Sequence, residues 1–194
     1  MGNDDTDTAV ATLDVLRRRV AELEQADAAR QQAEDRLRFL AEASEIIAGS
    51  LDYEETLARV ASLAVPFLAD WCIVYLRQPD GSIHRLAMEH ADSAHEPVSA
   101  TIQQDFPMNP DATEGVPLVI RTGNSLLYPE ATPEILAADA LDPDGLRSVA
   151  SNLSVQSWIC VPLAVSGTSF GAISCMTAES ERRYGPADLA LAED

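Results

Sequence analysis

The chain has 194 residues, 46% hydrophobic and 23% charged, an ordinary globular composition that excludes wholesale disorder. Thirteen basic residues face thirty-two acidic ones, for a net charge of −19, and all thirteen are Arg. A chain of that sign repels phosphate backbones and anionic lipid, which argues against nucleic-acid and membrane-surface partners.

The longest uncharged stretch, 148–178, is broken by Asn152, Gln156, Pro162, Gly167 and Gly171, so it predicts two buried strands and a turn rather than a membrane span. The start, Met1-Gly2-Asn3-Asp4-Asp5, lacks the basic-then-apolar order of a secretory signal. Cys72, Cys160 and Cys175 are odd in number and widely spaced, which predicts reduced thiols and a cytoplasmic location.

Residues 1–7 are polar and predict a disordered tail. Residues 8–48 hold no Pro or Gly and are rich in Ala, Leu, Glu and Arg, which predicts one long helix. Leu13, Leu16, Val20 and Leu23 alternate steps of three and four, the spacing of a coiled-coil seam, and predict a homodimer through this helix. Asp52 through Glu55 has the order of a capping box, and opens a second helix with Leu57, Val60, Ala61, Ala64 and Leu68 on one face. Pro66 should bend or end that helix.

Trp71 to Leu76 is a continuous apolar run and predicts a strand covered on both faces. Gln78-Pro79-Asp80-Gly81 is turn chemistry, and 82–91 should return as the partner strand. Residues 92–114 predict a loop with one helical turn near 99–104. A short helix over 116–122 stops at Gly123, and 125–128 is a short strand. Residues 139–144 form an acidic loop before a helix over 145–152. A second hairpin pairs 157–165 with 170–178 around Ser166-Gly167. Gly185-Pro186-Ala187-Asp188 opens a last helix, whose acidic end without a cap predicts a truncated element.

This order is α+β on an antiparallel sheet. Asp70 to Leu76 with Pro79-Asp80-Gly81, Gly115-Val116, Arg121-Thr122-Gly123, Leu126 to Pro129, Val155 to Leu163, Gly171 and Tyr184 to Leu189 together resemble the GAF domains of bacterial multi-sensor histidine kinases and metal-dependent serine phosphatases. The resemblance spans about 37–194. It implies an antiparallel sheet of five or six strands with helices on both sides, and a small-molecule pocket on one face. It also implies a sensing or dimerisation role that controls an absent output domain, with no catalysis by this chain. Trp71, His90, Tyr128, Ser157 and Trp158 are the candidate pocket residues, on strands that the family places beside the ligand.

Other chemistry is weighed residue by residue. The cyclic-nucleotide signature of the family includes Lys, which the chain lacks. Bilin attachment wants Cys with His beside it, and none of the three Cys has one. Period two along 82–91 places His84, Leu86, Met88 and His90 on one face, but strand-end histidines and a core Met are the expectation, so no haem is predicted. No Cys pair has a zinc-ligand spacing such as C-x2-C, so no metal is predicted. Asp139, Asp142 and Asp144 lack the spacing of a calcium loop. Two alternatives stay open: a ligand-free structural dimerisation module, and a thiol enzyme like free methionine sulfoxide reductase, a stand-alone GAF domain in which Cys160 and Cys175 on adjacent strands would approach each other.

Overall fold

The computed structural model describes residues 4–49 and 52–194. The chain divides into two compact units, with the boundary between Ala41 and Glu42. A single helix, α1 (Asp4–Gly49), begins four residues earlier than the sequence predicts. Residues 1–3 of the expected tail lie outside the described residues. Along α1, Arg19–Glu22 and Arg30–Glu34 close at 3.1 and 2.8 Å and support exposed faces by a few tenths of a kcal/mol each. Leu16, Val20 and Leu23 are exposed, and the side chain of Leu13 lies outside the described residues. Among the described residues no helix is long and apolar enough to cross a membrane.

In the second unit, Asp52 caps α2 (Tyr53–Phe67) by accepting the N–H groups of Glu54 and Glu55 at 3.0 and 3.2 Å. Pro66 forces the residue before it out of the helical region, and Val65 accordingly sits at φ −101°, ψ 129°. Five antiparallel strands follow: β1 (Trp71–Arg77), β2 (Ile83–His90), β3 (Leu126–Tyr128), β4 (Ser157–Val165) and β5 (Thr168–Thr177). Their order across the sheet is β2-β1-β5-β4-β3, with helices on both sides.

The β4–β5 turn places Ser166 and Gly167 at φ 51° and 80°, the primed-turn geometry that matches strand twist. At Gly171 a Cβ would lie 2.3 Å from the Tyr75 carbonyl oxygen, so only glycine lets β5 close on β1 there.

Two connections differ from the sequence expectation. Residues 92–114 hold a full helix, α3 (Glu96–Asp105), after a short 3-10 turn (Ser93–His95), because Ile102 and Phe106 have a core to enter. The stretch before the acidic loop 139–144 folds as α5 (Pro133–Ala137), with Thr132 accepting the Ile135 N–H. Pro133 at the first helical position hides this helix from a search for long apolar periodicity. Between them lies α4 (Gly115–Thr122), and α6 (Pro143–Ala150) and α7 (Pro186–Glu193) complete the unit. Asp142 caps α6 by accepting the Gly145 N–H at 3.0 Å, so α6 starts two residues earlier than expected.

Alternation sorts the strands onto two faces. Trp71, Ile73 and Tyr75 join Trp158, Cys160, Ala172 and Met176 in one cluster, closed by Val116, Val119 and Ile120 of α4. A second cluster of Ile102, Phe106, Ala137, Ala140 and Leu146 roofs it from α3, α5 and α6.

Candidate functional site

A bulge fixes which β2 side chains face the site. Pairing runs Val74↔Ala87 and then Tyr75↔Arg85, so β2 holds an extra residue there. The bulge reverses the alternation below Ala87. His84 and Leu86 therefore do not share the face of Met88 and His90, contrary to simple period two. Arg85 turns inward in their place and is only 6% exposed.

Arg85 lines a cavity of about 50 Å³ between the sheet and the helical roof. Tyr75, Met88, Trp158 and Ser174 form its sheet side, and Val116, Asp139, Leu146 and Leu153 contribute from the roof. That volume holds a few water molecules. The lining is apolar except for a small group of polar side chains.

The Arg85 guanidinium is held at the C-terminal end of α3, where Nη1 donates to the carbonyls of Phe106 at 2.5 Å and Ile102 at 3.3 Å. Helix carbonyls of a last turn carry partial negative charge and suit a cation. The guanidinium also lies 5.9 Å from the centre of the Tyr75 ring. Its Nε is buried with no hydrogen-bond partner among the described residues. Burial raises the Tyr75 hydroxyl well above its ordinary pKa, and the Arg85 charge works against that shift.

Asp139 is 5% exposed and accepts the Val116 N–H at 2.9 Å, at the start of α4. Gly115 makes room for it: a Cβ there would stand 2.3 Å from Asp139 Oδ2. Burial pushes the Asp139 carboxyl up to about 6, while the Val116 N–H and the Arg85 charge pull it down. Asp142 and Asp144 do not join it, since Asp142 caps α6 and Asp144 pairs with Arg147 at 2.5 Å.

The five sequence candidates fall in three places. Trp158 lines the cavity, and its indole N–H donates to Ser174 Oγ. Tyr128 stacks on Trp158 with ring centres 5.3 Å apart and stands outside the cavity lining. Ser157 also lies outside it: its hydroxyl donates to the Tyr128 carbonyl at 2.9 Å and accepts the Tyr184 N–H at 3.0 Å, fixing the entry to α7. Trp71 and His90 pack on each other at the far end of the β1–β2 ladder, ring centres 4.2 Å apart, and His95 joins them. Arg85 and Asp139, the charged groups of the cavity, are absent from that set. Period two along Ile83-His84-Arg85-Leu86-Ala87-Met88 places Arg85 on the face opposite Met88 and His90, so nothing in the sequence marks it as a cavity residue.

The cysteines are buried. The close pair is Cys72 and Cys175, directly opposite on β1 and β5 with sulfurs 4.0 Å apart. Cys160 instead lies opposite Ser174, so alternation sends its side chain to the other face from Cys175. The contact with Cys175 and burial raise the Cys72 thiol well above its ordinary value, and burial does the same to Cys160.

The fold recurs in solved structures. The GAF domain of a phosphoenolpyruvate-protein phosphotransferase from Coxiella burnetii superposes with a TM-score of 0.58 at 15% identity, covering 82% of this chain and 86% of that one. The GAF domain of a putative sensor histidine kinase from Pseudomonas syringae pv. tomato gives 0.51 at 18%, covering 86% and 85%. A free methionine-R-sulfoxide reductase from Neisseria meningitidis, in complex with its substrate, gives 0.55 at 16%, covering 80% of each. At these identities the likeness is one of fold. No match was found among curated proteins. The GAF domain family model matches residues 52–194, from the cap of α2 through α7, and the chain belongs to that family.

Proposed function

We propose that this GAF domain is a sensor whose cavity recognises a small organic anion through Arg85, with Asp139 accepting a hydrogen-bond donor of the same molecule. The observation that carries this reading is the buried Arg85 Nε with no partner at the edge of an otherwise satisfied cavity. A native structure leaves few buried donors unpaired, and a group able to accept two guanidinium hydrogen bonds would complete this one.

The proposed response follows from what Arg85 already holds. An anion in the cavity draws the guanidinium away from the carbonyls of Ile102 and Phe106, and α3 loosens. A ligand larger than the present 50 Å³ must also displace Leu146 or Leu153 of the roof. The ligand thereby binds two arrangements of the roof with different affinity, which a sensor requires. The role extends, in this proposal, to a homodimer joined along Leu13, Leu16, Val20 and Leu23, and to control of an output domain in a larger protein. Spacing supports the seam, and the exposure of Leu16, Val20 and Leu23 leaves it open to a second copy of α1.

The small cavity favours one second reading, a structural module with a filled interior that binds nothing. Thermal melting with L-lactate and L-alanine as probes separates the two. A sensor gains stability with probe concentration, and Arg85→Met abolishes the gain. Equal melting curves for both proteins at all probe concentrations favour the structural module.

A further inference from the structure

We propose that His90, His95 and Glu179 form a binding site for a divalent transition-metal ion of the zinc type, at the end of the sheet next to Trp71. The three side chains offer ligand atoms that all lie within 4.8 Å of one another. His90 Nε2 stands 3.3 Å from one Glu179 carboxylate oxygen, and His95 Nε2 stands 3.7 Å from the other. An ion bound tetrahedrally at about 2.0–2.1 Å keeps its ligand atoms about 3.3–3.4 Å apart. The two histidine–carboxylate contacts come within about half an ångström of that spacing through different carboxylate oxygens, and the set, which lies within 4.8 Å, takes an ion once the Glu179 and His95 side chains close on it by about an ångström.

The surroundings supply what a metal site needs beyond its ligands. The Asp92 N–H donates to His90 Nδ1 at 2.8 Å, and the Asp92 carbonyl oxygen lies 2.9 Å from the same nitrogen, so the Asp92 backbone orients the ring with Nε2 toward Glu179. An ion binding at Nε2 displaces the ring proton, and Nδ1 can then donate to the Asp92 carbonyl, the usual backbone support of a ligating imidazole. Glu179 sits between two residues clamped by a single carboxylate. Asp70 accepts the N–H of Ala178 at 2.6 Å, and both the N–H and the hydroxyl of Ser180 at 3.1 and 2.6 Å. Burial opposes its ionised form, but these hydrogen bonds prevail and hold the Asp70 carboxyl below its ordinary value.

Among the described residues, His95 Nδ1 and the Trp71 indole N–H are both buried with no hydrogen-bond partner, so nothing but the metal site itself fixes the His95 ring beside Trp71. The imidazoles lie 4.0 Å apart, centre to centre, with Trp71 beneath them. Two imidazoles and one carboxylate select zinc, nickel or copper over magnesium and calcium, and three protein ligands leave a position for water. His90 and His95 have the four-residue gap of a zinc pair, but spacing along the sequence does not reveal the third ligand, because Glu179 enters from beyond β5. An ion there joins the end of β2, the start of α3 and the segment after β5.

The test is calorimetric titration of the 194-residue chain with ZnCl₂ in excess MgCl₂, which occupies diffuse carboxylate sites on so acidic a protein. One zinc per chain is expected. His95→Ala and Glu179→Gln each weaken binding at least about tenfold, and His84→Ala leaves it unchanged. Glu179 is half exposed and His95 partly so, which makes these variants safe for the fold where the buried His90 is not. Co²⁺ gives a second readout, a visible ligand-field band that both variants lose. Binding that is absent, displaced by Mg²⁺, or equal in the wild type and both variants overturns the proposal.

Discussion

Arg85 and Asp139 share one cavity, each more than nine-tenths buried, yet the two do not form a direct ion pair. Each leans on backbone instead: the guanidinium, through Nη1 alone, on carbonyls at the end of α3, and the carboxylate on the first turn of α4. The arrangement holds opposite charges apart across a small space, and the cost of burying them is offset from outside the pair.

One consequence is a pH dependence of stability. Burial raises the Asp139 carboxyl in the folded chain to about 6, from 3.8. The folded state therefore binds the extra proton between those values. The stability this group contributes is complete below the lower value and lost as pH rises through the upper one. The shift corresponds to about 1–3 kcal/mol. Asp139→Asn keeps an acceptor for the Val116 N–H and removes the titration. Denaturant unfolding should show the variant gaining on the wild type by that amount between pH 4 and pH 7.5. A difference that stays constant across the range counts against the assignment.

The cysteines bear on the enzyme alternative. A thiol reductase needs an accessible, ionised sulfur, whereas Cys72 and Cys160 are fully buried with raised pKa values. In native protein at pH 8, a thiol-disulfide reagent of the dithiobis-nitrobenzoate type should label almost none of the three thiols over minutes. All three should react after unfolding. Rapid labelling of one native thiol brings the enzyme reading back.

The α1 seam predicts the oligomeric state. Leu16→Asp with Leu23→Asp puts two charges into the proposed seam and should convert a dimer to a monomer in analytical ultracentrifugation. The second unit should keep its melting transition, since the substitutions lie in the first. A wild-type monomer, or a dimer that survives both changes, removes the seam.

Much of the fold was legible because turns and caps announce themselves locally. Asp52 before α2, Pro66 after Val65, and Ser166-Gly167 between β4 and β5 each do in the structure what their chemistry requires. The site was less legible, for reasons that particular residues explain. Arg85 reaches the cavity only because the bulge at Val74/Tyr75 reverses β2, and a bulge leaves no mark in an alternation of Ile, His, Arg and Leu. Asp139 looks like one more acid in an acidic loop until Gly115 and Val116 come across to meet it. Trp158 was named for its place on a strand that the family sets beside the pocket, a criterion that also named Trp71 and Tyr128, which stand outside the cavity lining. His95 and Glu179 meet His90 only through tertiary structure.

The sensor account stands on Arg85, and the most direct measurement observes that side chain. The buried Nε–H should give a resolved nitrogen-15 resonance in the folded chain, absent from Arg85→Met. Titration with L-lactate and then L-alanine is predicted to move that resonance to a saturating end point, with smaller shifts at the amides of Ile102 and Phe106. An Arg85 Nε–H signal that stays fixed through both titrations, in a chain that remains folded, would contradict the account.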